Sequence, residues 1–187
     1  MQRVRRQDVA EHPAYLWWNG KLVRWEEATV HVTDLGWSTV GAVFEGIRMY
    51  WNAEAGEGFV FRLHDHLERL HHSMKLVRLE RRYSVDELTE AVITLLRANE
   101  CREDTYIQPV AYRSGGPKSL SGYSPESQIY ISIRPMPSEL LSGKAVHARV
   151  SSWRRIADDV MPPRVKNISN YRNSQLATME ALQDGYD

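Results

Sequence analysis

Lys166 stands in the segment MPPRVKNISNYRNS, with Val165 before it and Ile168 two residues after it. A strand-like run precedes this segment and a helix-like run follows it. A lysine among apolar neighbours can be desolvated, which favours the neutral amine, the form able to condense with a carbonyl as a Schiff base. The competing role is that of a solvated loop lysine. Arg69 lies between Leu67 and Leu70, at the margin of an apolar helical face. A planar guanidinium there can grip a phosphate through paired N–H donors, or close a structural ion pair. His64, His66, His71 and His72 crowd the same stretch. Zinc asks for two histidines at i,i+4 on one face plus further ligands, and these spacings do not supply them. Cys101 is the only cysteine. No metal site is expected.

Other candidate motifs are weaker. GGPKS (Gly115 to Ser119) ends like a phosphate loop but lacks the upstream glycine and sits between strand-like runs. Asn167-Ile168-Ser169 has the form of a glycosylation acceptor, with nothing to suggest secretion. No nucleophile elbow and no Ser/His/Asp order is present.

The elements that must position these residues follow from hydrophobic period. YLWW, Asn19-Gly20 and KLVRW read as a hairpin whose Asn-Gly pair supplies the two positive-φ positions of a type I′ turn. HVTDLGW reads as a loop-like entry to one strand, GAVFEGIRMYW, and FVFR pairs back after a glycine-rich break. Leu63, Leu67, Leu70, Met74 and Val77 define a helix face. Ser84 with Glu87 three residues later announces a second helix through a capping box, with Val85, Leu88, Val92 and Leu95 as its buried stripe. Strands return at Thr105 to Arg113 and Gln128 to Arg134, joined by a long polar loop. AVHARVSSW reads as a further strand and SQLATMEALQDGYD as a helix ending at Gly185.

The order of strands, two helices and strands predicts an α+β class. A complete small N-terminal domain is expected over 1–134, a linker over 135–143, and the incomplete start of a second domain over 144–187. The 187 residues carry 24 Lys plus Arg and 24 Asp plus Glu, a net charge of zero that disfavours a nucleic-acid surface. No apolar run approaches a membrane span, and no signal-peptide core follows the charged N-terminus. With one cysteine, these features predict a cytoplasmic protein.

VFEGIRMY, VFRLHDHLERLHHSMKLVRL, YIQPV, SSWRR and VKNISNYRNSQLATMEALQDGYD occur in that order. In order and spacing they resemble the class IV (fold type IV) pyridoxal-phosphate aminotransferases, above all the branched-chain amino acid branch. The resemblance implies an α+β fold type IV enzyme with pyridoxal 5′-phosphate as cofactor. Its implied reaction is ping-pong transamination between a branched-chain L-amino acid and a 2-oxo acid such as 2-oxoglutarate. By resemblance, Lys166 carries the cofactor and shuttles the α-proton, Arg69 grips its phosphate, and Tyr171 bonds its phenolic oxygen. Phe44 and Gly46 line the substrate pocket, while Tyr106 and Gln108 stand near substrate carboxylates. A homodimer or higher homo-oligomer is implied too.

The sequence departs from the family in three places. Gln108 stands where the branched-chain enzymes usually carry arginine, leaving Arg113 and Arg134 as candidate replacements for the charge. Thr39-Val40 replaces a Tyr-Gly pair. Family members continue past GYD, so a shortened chain, inactive by itself, is expected. The alternatives are another fold type IV enzyme (an aminodeoxychorismate lyase, or a D-amino acid or amine transaminase) and a non-catalytic interaction domain.

Overall fold

The computed structural model describes residues 12–113, 126–140 and 142–187, excepting the side chain of Trp37. The polar loop with its GGPKS segment and the charged N-terminus fall outside these residues, apart from their flanks. The first hairpin forms as read: β1 (Tyr15–Trp18) and β2 (Lys21–Arg24) pair across Asn19 and Gly20, at φ 49° and 94°. Asn19 also ties the turn to the sheet, because its Oδ1 accepts from the Ile129 N–H at 3.0 Å.

A short helix, α1 (Leu35–Val40), occupies the stretch expected as a loop. The Thr39 hydroxyl bonds back to the Leu35 carbonyl at 2.9 Å, a local bond that the apolar pattern does not announce. The strand expected over GAVFEGIRMYW is interrupted, giving β3 (Val43–Phe44) and β4 (Ile47–Asn52). Both pair with β6 (Thr105–Arg113) in one register. The interruption lies opposite Pro109, which accepts from the Glu45 N–H at 3.0 Å but has no N–H to return.

β5 (Glu57–Val60) and β7 (Ser127–Pro135) complete an antiparallel sheet ordered β2-β1-β7-β6-β4-β5, with β3 beside β6. Alternation along β6 and β7 sends Ile107, Ala111, Ile129, Ile131 and Ile133 to one face. Helices α2 (Leu63–Leu76) and α3 (Val85–Ala98) cover that face with Leu67, Leu70, Met74, Leu88, Val92 and Leu95, all wholly buried. The predicted capping box is present: Glu87 N–H donates to Ser84 Oγ at 3.1 Å, and Ser84 N–H to Glu87 Oε2 at 2.7 Å. Ser84→Ala is expected to cost about 1 kcal/mol in urea unfolding, with an unchanged slope against denaturant.

The run over 145–153 forms no strand, contrary to its alternating pattern. A strand needs a neighbouring ladder, and among the described residues none flanks it. Its backbone instead bonds to side chains at and beyond the end of α4 (Tyr171–Gln183): Ser152 N–H donates to Glu180 at 3.0 Å and His147 N–H to Asp187 at 2.7 Å. Helix α4 starts three residues before the expected Ser174. It ends in a Schellman motif, with Gly185 at φ 80° and the Tyr186 N–H bonded to the Ala181 carbonyl.

Candidate active site

Lys166 is placed by its backbone. Its carbonyl accepts from the Phe44 N–H at 3.0 Å, and the Ile168 N–H donates to the Ala42 carbonyl at 2.8 Å. The segment around Lys166 thus pairs with β3, with Val43 opposite Asn167. Val165, 3% exposed, plugs the same segment into the core. Two buried asparagines set the curvature. Asn167 caps the short 3-10 turn Ile168–Asn170 by accepting from the Ser169 N–H at 2.8 Å. Asn170 Nδ2 donates to the Val165 carbonyl at 3.1 Å and the Pro162 carbonyl at 3.3 Å.

This anchoring brings the Lys166 Nζ to 5.0 Å from the Phe44 ring centroid and 6.0 Å from that of Tyr171. The two rings pack at 5.0 Å, tilted by 57°. No carboxylate pairs with Lys166 among the described residues. Among those residues, its charge therefore faces aromatic π surfaces.

Arg69 reaches the same region from α2. Its Nε and Nη2 donate to the two oxygens of Glu45 at 2.7 and 2.5 Å, and His66 Nδ1 lies 3.0 Å from Glu45 Oε2. Glu45 is wholly buried, whereas half of the Arg69 side chain is exposed. The hydrogen bond to Glu45 raises the Arg69 pKa above its ordinary value, burial opposes, and Tyr171 adds to the rise. Arg69 is a permanent cation beside Tyr171, with Nη1 not engaged by Glu45. Both roles left open for Arg69 are compatible here, since one edge of the fork is paired and another is available.

Gly46 and Gln108 are opposite one another across the Pro109 interruption. Gly46 admits the Tyr106 ring: a Cβ there would lie 2.5 Å from the Tyr106 hydroxyl oxygen. Tyr106 has a raised pKa, chiefly from burial and despite Arg134, so its hydroxyl stays a donor at neutral pH. Tyr106 and Gln108 border a pocket of about 160 Å³ shared with Trp25, Ser132 and Arg134.

All seven residues singled out in the sequence therefore belong to one region. Phe44, Lys166 and Tyr171 are in contact, Gly46 abuts Tyr106, Arg69 and Tyr106 both feel Tyr171, and Gln108 joins through the pocket. The sequence reading omitted Glu45, His66, Asn167 and Asn170. Glu45 carried a signal, because an acid between Val43 and Ile47 on the inward side of a strand must find a cation. Away from this region, His64, Asp65 and Glu68 cluster on the exposed face of α2.

An amine, a phenol and a guanidinium gathered around β3 are a donor set suited to a phosphorylated aromatic aldehyde. Residues 42–187 match the amino-transferase class IV family. A probable branched-chain-amino-acid aminotransferase of Aquifex aeolicus is 39% identical over 176 residues, and that of Escherichia coli K12 is 37% identical over 179. Each alignment covers 92% of this chain but only 56% of the relative. The crystal structure of the Thermobaculum terrenum branched-chain amino acid aminotransferase in its PLP form superposes with a TM-score of 0.90 and 50% identity. It covers 95% of this chain and 58% of that one. The chain thus spans little more than half the length of its relatives, and it belongs to the class IV aminotransferases, with the type IV fold.

Proposed function

We propose that this chain is the part of a pyridoxal-phosphate-dependent aminotransferase that carries its reactive lysine, acting on a branched-chain L-amino acid and a 2-oxo acid. The observation that supports it most is Lys166, held by backbone pairing against Phe44 and Tyr171, with no carboxylate among the described residues to neutralise it. When bound, the cofactor supplies the electron sink that lets an amino group pass between two carbon skeletons. The protein's own residues bind, orient and move a proton. Arg69, oriented by Glu45, offers its outward N–H groups to the phosphate. The Tyr171 hydroxyl orients the ring, and Lys166 holds or returns the proton at the α-carbon.

Phe44 gives the substrate side an apolar wall suited to a branched aliphatic chain. One methylene more or less there changes selectivity by only about 1–3 kcal/mol. The reading extends to 2-oxoglutarate as acceptor, to a small domain over 1–134 followed by the start of the cofactor domain, and to a homo-oligomer in the cytoplasm.

Borohydride reduction after incubation with pyridoxal phosphate tests the assignment. Peptide mass spectrometry is expected to find the pyridoxyl adduct on Lys166, at cofactor concentrations that leave Lys21, Lys75 and Lys144 unmodified. Arg69→Ala is expected to raise the concentration needed by about tenfold or more. An adduct spread over the exposed lysines, with Lys166 spared, overturns the proposal.

A further inference from the structure

We infer that His66 is a positioning residue: it fixes the plane of the Glu45 carboxylate and, through it, the direction in which Arg69 offers N–H groups to a phosphate. This rests on the reading of the site as a transaminase centre. Glu45 is wholly buried in the gap between β3 and β4, so its oxygens depend on protein donors. Oε1 accepts from Arg69 Nε at 2.7 Å and Oε2 from Arg69 Nη2 at 2.5 Å, while His66 Nδ1 stands 3.0 Å from Oε2.

The chemistry of the acceptor decides what His66 does. An ionised carboxylate only accepts, so the imidazole must carry a proton on Nδ1 to meet it. Arg69 Nη2 lies 3.4 Å from the same Nδ1, but both atoms are then donors and that contact is no hydrogen bond. Arg69 is thus held through Glu45, and with 52% of its side chain exposed it has little packing to hold it otherwise.

A fork-to-fork pair is rigid within itself, yet the terminal torsion of a glutamate is broad, and carboxylate and guanidinium can swing together. A third bond, from a different residue, removes that freedom. His66 and Arg69 are three residues apart on α2, so one helical turn supplies all three donors to a carboxylate borne on the sheet side. His64 shows the contrast. It lies 3.8 Å from Glu68, both side chains are more than half exposed, and the pair fixes nothing in the site.

Borohydride labelling of Lys166 in the full chain, with pyridoxal phosphate and with pyridoxal, tests this, because only the first aldehyde carries the phosphate. His66→Leu is expected to raise the pyridoxal phosphate concentration for half-labelling by about fivefold, and that for pyridoxal by less than twofold. His66→Asn keeps an N–H donor at the place of Nδ1 and should stay within twofold of the unaltered chain for both. In an Arg69→Ala background, His66→Leu should add no further loss. His66→Ala gives the same comparison if the leucine protein does not fold. Equal shifts for both aldehydes, no shift with pyridoxal phosphate, or an asparagine variant as impaired as the leucine one overturns the inference alone. Failure of both aldehydes to label Lys166 in the unaltered chain overturns the transaminase reading, and the inference with it.

Discussion

Glu45→Ala is expected to lower the unfolding free energy by about 2–4 kcal/mol and to release Arg69 from its fixed orientation. The carboxylate is wholly buried and accepts two guanidinium N–H groups, with His66 against its second oxygen. Removing one member of a buried pair typically costs about 3–5 kcal/mol, because the partner is stranded without solvent. Here the Arg69 side chain is 52% exposed and can rehydrate, which lowers the penalty. The space left beneath β3 and α2 adds a packing cost in return. Glu45→Gln keeps the volume and removes the charge, so it isolates the charge-assisted bonds and should cost about 1–3 kcal/mol.

A double-mutant cycle with Arg69→Ala apportions the effect. A coupling near 1–3 kcal/mol in urea unfolding is expected, since the two groups share both bonds. Additive single effects would mean that Glu45 is held in place by something other than Arg69. The same Glu45 variants should require more pyridoxal phosphate to saturate Lys166, because a mobile guanidinium must be ordered before it can bind.

Local pattern was enough for the elements that sit under the site. The hairpin needed only Asn19-Gly20, the first long helix its leucine spacing, and the second the Ser84–Glu87 box, all interactions within a few residues in sequence. What the pattern could not carry was pairing at a distance. The bonds joining residues 166–168 to Ala42 and Phe44 span more than a hundred residues, and nothing in MPPRVKNISNYRNS names its partner strand. The 145–153 run fails for the converse reason. AVHARVSSW alternates as a half-buried strand should, yet alternation states only which face would be buried, not whether a neighbour exists. The Pro109 interruption was legible in principle, because a proline at the middle of a central strand removes a ladder bond from whichever strand lies opposite.

The site residues divide along the same line. Lys166 and Arg69 were candidates from their neighbours as well as by resemblance, Tyr171, Phe44, Gly46, Tyr106 and Gln108 by resemblance alone, and the fold places the seven in one region. The residues that orient them were not found, because orientation depends on partners rather than on type. Asn170 is one of many asparagines near a helix start until its amide is seen to clasp the Pro162 and Val165 carbonyls around the lysine. Arg134 was named beside Arg113 only as a candidate replacement charge, and it is the register that sets it across from Tyr106.

Gly46→Ala is the complementary case, in which one methyl group is expected to displace a site residue and cost about 1–3 kcal/mol. An alanine Cβ would lie 2.5 Å from the Tyr106 hydroxyl oxygen, 2.9 Å from Cε2 and 3.0 Å from Cζ. Those distances are well inside van der Waals contact, so the ring must move. Its freedom is limited, because Arg134 stacks at 4.7 Å and the ring is partly buried. The backbone of Gly46 is outside the left-handed region, so the penalty is steric and belongs to the Tyr106 ring. Tyr106→Phe removes the closest contact but keeps the two ring carbons, and should relieve Gly46→Ala only in part. Tyr106→Ala removes the obstruction, and in that background Gly46→Ala should cost little, giving a coupling nearly equal to its single effect. With Tyr106 displaced, its phenol is lost to the pocket that it borders with Gln108. If Gly46→Ala costs as much in the Tyr106→Ala protein as in the unaltered chain, the glycine serves some need other than clearance for that ring.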